Sequence, residues 1–375
     1  MKVTVSQPQL AQSLNMVSRA VSTRSTLPVL GNVLVTTDAG RLRLSATNLE
    51  LGISVWIGAQ IDEEGSITVP ARTFTDLISA LPSEKITLSL NERTFTLNVL
   101  CGTNSTDIKG IDAQEFPPMP VPDLEEGIAL NVSDLKDMIH QVAFAASTDE
   151  ARPVLQGVSL SVVEQEITLA ATDGFRISVR KANLNTPTTR SITAVIPARA
   201  LNELARIAAD GDESVVMSIP KGRGQVLFHL RDAELVSQLI EGNFPDYKAI
   251  LPKSYRTKSV ISTSGLLKAC RQAEIIARDG NNVIRLNLKP GTENMGELEI
   301  SAQSEETGKT EVNLEASVEG EALLIAFNVR FLREVLEVIK TPSVAIEMIA
   351  NNAPGLVRPV GEDNFQHVIM PMHLG

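Results

Sequence analysis

Three patterns in the chain resemble reactive chemistry. The stretch Ser304–Val312, SEETGKTEV, contains the Gly-Lys-Thr that ends a phosphate-binding loop. Such a loop needs another glycine five residues before Gly308, so that the backbone can wrap a phosphate, and that position holds Gln303. The segment is also acidic, so the phosphate-loop reading is rejected. The four histidines, His140, His229, His367 and His373, fall at no metal-ligand spacing. Asp173 and Arg176, in ATDGFR, three residues apart, can be read as part of an active site. A turn aspartate and an arginine at the rim of a binding surface explain the same pair more simply. No nucleophile elbow is present. Cys101 and Cys270 lie far apart, which reads as reduced, structural thiols in a cytoplasmic protein. The residues therefore predict no enzyme, no metal and no cofactor.

What the chain does contain is repetition. TLPVLGNVLVTT (Thr26–Thr37) returns as ARPVLQGVSLSV (Ala151–Val162), about 125 residues later, a period too long for a solenoid and long enough for a whole domain. ATNLELGISV (Ala46–Val55) matches ATDGFRISV (Ala171–Val179). ITVPARTFTDLISAL (Ile67–Leu81) matches AVIPARALNELARIA (Ala194–Ala208), and EFPPMP (Glu115–Pro120) matches NFPDYKAILP (Asn243–Pro252). A fainter third copy carries NNVIRLNL and AFNVRFLREVLEVI at the corresponding places. Linker-like stretches, PPMPVPDLEEG and LPKSYRTKS, close the first two copies. The copies divide the chain into 1–124, 125–253 and 254–375.

Apolar spacing supports this division better than residue identity does. One predicted helix in each copy places apolar residues at i, i+4, i+7 and i+11: Leu10, Leu14, Val17, Val21; Leu135, Ile139, Val142, Ala146; Leu266, Cys270, Ala273, Ala277. A second uses i, i+3, i+4 and i+7: Phe74, Leu77, Ile78, Leu81; Leu201, Leu204, Ala205, Ala208; Leu332, Val335, Leu336, Ile339. Short alternating runs such as RLRLSA, ITLAAT and ELEISA read as strands. Each copy is thus an α+β unit of two helices on a largely antiparallel sheet. Like units with exposed sheet edges can pair edge to edge, and ring closure would remove the edges.

The chain has 375 residues, 43% hydrophobic, and a net charge of −11, unlike a protein that simply coats nucleic acid. It has no apolar run of membrane length, and MKVTVSQPQL lacks the core of a signal peptide. The six helix windows, 7–22, 71–81, 132–147, 198–209, 263–278 and 328–340, hold eleven basic and seven acidic residues. Basic helices on an acidic body suit presentation of the helices to a polyanion. A solvated helix face rich in Lys and Arg would give the same count.

With these residues in view, the chain resembles the bacterial β sliding clamp family, the processivity (beta) subunit of DNA polymerase III. The resemblance runs the whole length. It rests on RSTLPVLGNVLV (Arg24–Val35), VPARTF (Val69–Phe74), ATDGFR (Ala171–Arg176), FPDYKAILPK (Phe244–Lys253), FNVRFLREVL (Phe327–Leu336) and HVIMPMHL (His367–Leu374). It implies three tandem clamp domains and a head-to-tail homodimer forming a six-domain ring, with helices facing duplex DNA. It also implies a mechanism by topology: the ring slides without reading sequence and keeps a tethered polymerase near the primer end. The implied partners are the replicative DNA polymerase, the clamp loader, and other polymerases and repair proteins that dock through short peptides.

The resemblance carries a peptide pocket onto Leu155, Thr172, Gly174, Phe175, Arg176, Ile177, Pro245, Ile250, Asn328, Phe331, Val368, Met370, Pro371, Met372 and Leu374. Its Met, Pro and Leu content suits an adaptable apolar surface, with Arg176 at the rim. Arg24 matches a DNA-contacting arginine of the family, and Arg72, Arg199, Lys268 and Arg271 are further expected DNA contacts. Ile275 and Ile276 would meet the Ile108 region across the dimer. Two adjacent isoleucines on a helix cannot both face one core, so one is expected to face outward. The sequence departs from the family at Phe175, where His is common, at Ala249 and His373, where basic residues are common, and at Gly375, which extends the end. The loop DEARPV (Asp149–Val154) lacks the polar and aromatic residues expected for DNA contact. Two rival readings are a peptide-binding adaptor that does not encircle DNA and a ring enzyme acting near Asp173.

Overall fold

In a computed structural model of the chain, the residues described are 1–22, 26–122, 124, 126–188, 191–209, 213–220, 222–292 and 295–373. The described residues form six α-helices: α1 (Gln7–Val17), α2 (Ala71–Ala80), α3 (Val132–Val142), α4 (Ala198–Ile207), α5 (Thr263–Ala277) and α6 (Val329–Val338). They fall two to a copy, each directly after a strand. The starts of three follow from local chemistry. Pro8 sits in the first turn of α1, where its missing N–H is no loss. Ser262 caps α5 by accepting from the Gly265 N–H, and Asn328 caps α6 by accepting from the Arg330 N–H. Most of the predicted stripes are buried faces: Leu10, Leu14, Val17, Phe74, Ile78, Leu201, Leu266, Cys270, Ala273, Leu332 and Val335 are all fully buried, whereas Leu77 and Leu81 at the end of the α2 stripe are half-buried. Val21 and Ala146 are only half-buried, because α1 and α3 tighten into the 3-10 turns Ser18–Ala20 and Ala143–Ala145 and the helical spacing ends there.

The repeated Pro-Val-Leu phrase builds the same device twice. Pro28–Gly31 and Pro153–Gln156 are 3-10 turns, each feeding a strand, Asn32–Asp38 and Gly157–Val163. In the third copy Asn281 and Asn282 take left-handed conformations ahead of the strand Val283–Pro290. Asparagine tolerates that region better than most residues, so the third copy enters its strand by a different turn.

By their contacts the residues group into two compact units, 1–133 with 199–239, and 134–198 with 240–375. Three copies were expected from the sequence; the middle one contributes to both units. In the first unit a five-stranded sheet runs Gln60–Glu63, Lys2–Ser6, Lys85–Asn91, Thr96–Cys101, Asn104–Lys109. An eight-stranded sheet there runs Ile128–Asn131, Ser214–Ser218, Gln225–His229, Ala233–Gln238, Leu51–Gly58, Arg41–Thr47, Asn32–Asp38, Ser66–Pro70. In the second unit one twelve-stranded sheet runs Ile192–Pro197, Gly157–Val163, Glu166–Thr172, Arg176–Asn183, Phe365–Ile369, Gly355–Pro359, Ser343–Met348, Thr257–Ser262, Gly308–Gly320, Met295–Ser304, Val283–Pro290, Leu323–Asn328. Every pairing between these strands is antiparallel.

The large sheets arise because successive copies pair edge to edge. Leu51–Gly58 of the first copy pairs with Ala233–Gln238 of the second, and Arg176–Asn183 of the second pairs with Phe365–Ile369 of the third. The two joints are alike: the Gln238 N–H donates to the Glu50 carbonyl at 2.8 Å, and the Met370 N–H donates to the Phe175 carbonyl at 2.8 Å. Two corresponding edges stay open. Asn104–Lys109 ends the five-stranded sheet, and Gly308–Gly320 is paired beside Thr257–Ser262 only over residues 317–320.

Candidate binding surfaces

The loop that distinguishes the second copy is the turn between Glu166–Thr172 and Arg176–Asn183. Asp173 Oδ1 accepts the N–H groups of Phe175 and Arg176 at 2.8 and 3.0 Å, and Gly174 takes a left-handed φ of +94°. Thr172 Oγ1 donates to the Arg176 carbonyl and accepts from the Gly174 N–H. This closed turn projects Gly174 and Phe175 outward, with Phe175 60% exposed. It is the Asp-Gly turn that the sequence indicated. The first copy closes its own turn the same way with Thr47 and Asn48.

Beside the turn, the C-terminal segment continues from Phe365–Ile369. Met370 bonds to Phe175, and Met372 donates to the Ala326 carbonyl at 2.8 Å on the strand Leu323–Asn328. Ile177 and Val368 are cross-strand partners and share a buried cluster with Tyr247, against which Phe244 and Leu251 pack. The result is an apolar floor with Phe175, Pro245, Ile250 and Met370 exposed, and Leu155, Asn328, Phe331, Pro371 and Met372 half-buried. Leu374 and Arg24 lie outside the described residues. Sequence reasoning missed three contributors. The Arg152 guanidinium lies 3.2 Å from where a Cβ on Gly174 would sit, and Phe244 and Tyr247 brace the floor. The Phe-Pro-x-Tyr run pointed to the latter two.

Arg176 requires a correction. It is not a rim residue free to hold a ligand; it is 7% exposed and each of its three guanidinium nitrogens bonds within the protein. Nε bonds Asp173 Oδ2 at 3.0 Å, Nη1 bonds Glu334 Oε2, and Nη2 bonds the Phe144 carbonyl at 2.9 Å. The guanidinium also lies 4.4 Å from the centre of the Phe331 ring and 5.2 Å from that of Phe144. Phe144 in turn stacks on His367, whose Nδ1 meets Ser178 Oγ at 2.6 Å. Burial, with the Arg176 charge nearby, holds the His367 imidazole well below its ordinary pKa.

The ion pairs continue past Glu334. Arg333 lies between Glu334, Glu274 and Glu337, and Glu337 also holds Arg271 at 3.1 Å. Burial opposes ionisation of Glu337, but hydrogen bonds from Arg271 and Arg333 keep its carboxyl below the usual range. Arg271, a candidate DNA contact, is thus already paired, though exposed. Arg72 is nearly fully exposed beside Asp76. Arg199 is exposed and donates to the Arg19 carbonyl at 2.9 Å, next to a Glu203 carboxylate flanked by Arg19 and Arg206. Lys268 is exposed on α5 with no ion-pair partner among the described residues.

The two isoleucines of α5 divide as expected. Ile276 packs on the third copy's core, while Ile275 is 65% exposed. Ile108 is a correction: its side chain is buried at 5% exposure, opposite Leu97 within its own sheet. Its strand can offer a partner the open backbone edge, but not that side chain. Among the described residues no group of His, Cys, Asp and Glu is arranged to hold a metal ion, and no helix is long and apolar enough to cross a membrane.

Comparison with known proteins agrees with this architecture. Residues 1–120, 129–246 and 248–373 match the profiles of the N-terminal, central and C-terminal domains of the DNA polymerase III beta subunit. The chain is a three-domain protein of the DNA-clamp class, and it belongs to the family of bacterial DNA polymerase III beta subunits, the beta sliding clamps. The beta sliding clamp of Synechococcus elongatus is 35% identical over 378 residues, covering 100% of both chains. That of Bacillus subtilis is 31% identical over 382 residues and 99% of both. The crystal structure of the DNA polymerase sliding clamp from Bacillus subtilis superposes with a TM-score of 0.93 at 30% identity and complete coverage of both chains. The Pseudomonas aeruginosa DNA polymerase III subunit beta, solved bound to griselimycin, superposes at 0.91 with 28% identity, again over the whole of both chains.

Proposed function

We propose that this chain acts as a non-catalytic DNA sliding clamp in the cytoplasm. It serves as a processivity factor that holds the replicative polymerase and other replication and repair proteins on duplex DNA. The observation that carries the reading is the edge-to-edge joint. It is made twice within the chain, and its two components remain open at Asn104–Lys109 and along the first part of Gly308–Gly320. A second chain can supply the complement of each, so two chains close head to tail, with Ile275 at the seam. The domains run 1–124, 125–253 and 254–375. Exposed basic residues on the helices, Arg72, Arg199, Lys268 and Arg271, offer brief phosphate contacts without base readout, which permits sliding. The surface around Phe175, Ile250 and Met370 takes short peptides from the clamp loader, polymerases and repair proteins.

The test is topological. The protein is loaded onto nicked circular DNA by a clamp loader with ATP, isolated, and the circle is cut once. Loss on cutting is expected. Retention on the linear product would mean ordinary grip and would end the clamp reading. Absence from the circle, with a loader active on another clamp, would favour an adaptor that binds peptides without encircling DNA.

A further inference from the structure

We propose that Glu334 is a positioning residue for the peptide surface: through Arg176 it fixes where the turn of the second copy presents Gly174 and Phe175. The inference rests on reading that surface as a peptide site. Glu334 is on α6, in the third copy, and among the described residues it is ion-paired to the turn through the Arg176 guanidinium. Asp173 closes the turn on itself, so on its own the turn would be a self-contained loop. The Arg176–Glu334 pair ties that loop to a helix 158 residues away in sequence, and the Phe144 carbonyl fixes the remaining branch of the guanidinium.

The first copy shows that the fold does not need this tie. Its turn has the same Thr and Asx bonds and the same strand joint, yet the residue corresponding to Arg176 is Leu51. The first copy's Leu49 takes the left-handed conformation that Gly174 takes in the second. An apolar residue therefore suffices for the joint. The pair is only partly buried, Arg176 more so than Glu334, and desolvating the guanidinium offsets much of the attraction, so it is a poor source of stability. What it supplies is registry: one geometry satisfies Asp173, Glu334 and the Phe144 carbonyl together. Glu334 is itself steered by Arg333, with Nη2 at 3.8 Å, so its carboxylate is approached by cations from two directions.

Griselimycin is the probe, titrated by calorimetry into the full-length chain and its variants. Glu334→Ala is expected to bind roughly tenfold more weakly, within the range of ordinary coupling energies. Glu334→Gln, which keeps an acceptor and guards against misfolding, should retain part of the affinity. Arg176→Ala should lose at least as much as Glu334→Ala, since it also releases Asp173 and the Phe144 carbonyl, and the double variant no more than Arg176→Ala alone, because Glu334 acts through Arg176. Amide exchange at Phe175 and Arg176 should quicken in Glu334→Ala. Unchanged affinity in Glu334→Ala, or losses that add in the double variant, would overturn the proposal. Phe175→Asp serves as the control for the surface itself. If the unmodified chain does not bind griselimycin, or Phe175→Asp binds it equally well, the peptide-site reading is what fails. The amide exchange then still decides whether Glu334 positions the turn, and unchanged exchange would overturn that.

Discussion

At the scale of single residues, burial decides which groups titrate and react. His367 has a pKa well below its ordinary value, mainly through burial, so the folded chain favours the neutral ring. The unfolded chain takes up a proton near pH 6.5. The stability tied to this group is therefore complete above about pH 6.5 and is lost as the pH falls from there toward the depressed folded value. Between pH 7.5 and 5.5 the urea midpoint should drop less steeply in His367→Asn than in the unmodified chain; equal slopes would refute this. Cys270 is buried and its thiol is pushed up to about 12, so it should stay unmodified by thiol reagents until the chain unfolds. Labelling followed by mass spectrometry checks this. Residue types and the turn at Asp173 were legible in the sequence. The burial of Arg176 was not, because its partners Phe144 and Glu334 come from other parts of the chain.

At the scale of elements, the helices were the most legible feature, since a stripe of apolar residues can be buried in only one way. The stripe of α6 lies inside the third copy's core with Phe327, Ile325 and Phe365, all fully buried. Leu332→Ala should therefore cost about 2–5 kcal/mol, read as a lowered urea midpoint with an unchanged slope. A cost at the low end of that range would mean that the core collapses around the cavity, and a cost near zero would contradict the burial of Leu332. Sheet membership was much harder to read. Alternation marks a strand but does not name its neighbour. Nothing in AELVSQ shows that it pairs with LGISV rather than with a strand of its own copy alone. For that reason the three copies were visible in the sequence and the two units were not.

At the scale of the molecule, the open edges and Ile275 set the expectation for assembly. An apolar side chain 65% exposed, next to one that packs inward, is a seam residue under the clamp reading. Ile275→Arg should leave the fold intact and shift the protein toward monomers in light scattering at low micromolar concentration. A variant that stays dimeric would place the seam elsewhere. The two open edges differ in sequence, NSTDIK on one and GKTEVNLEA on the other, so a seam formed from them has direction. A chain with one spoiled edge still has a sound one and can recruit a healthy neighbour, but the pair it makes never closes. Such a variant would act as a poison rather than a bystander. Expressed alongside the normal chain, it would draw good subunits into open pairs, and the damage would grow with its share of the pool.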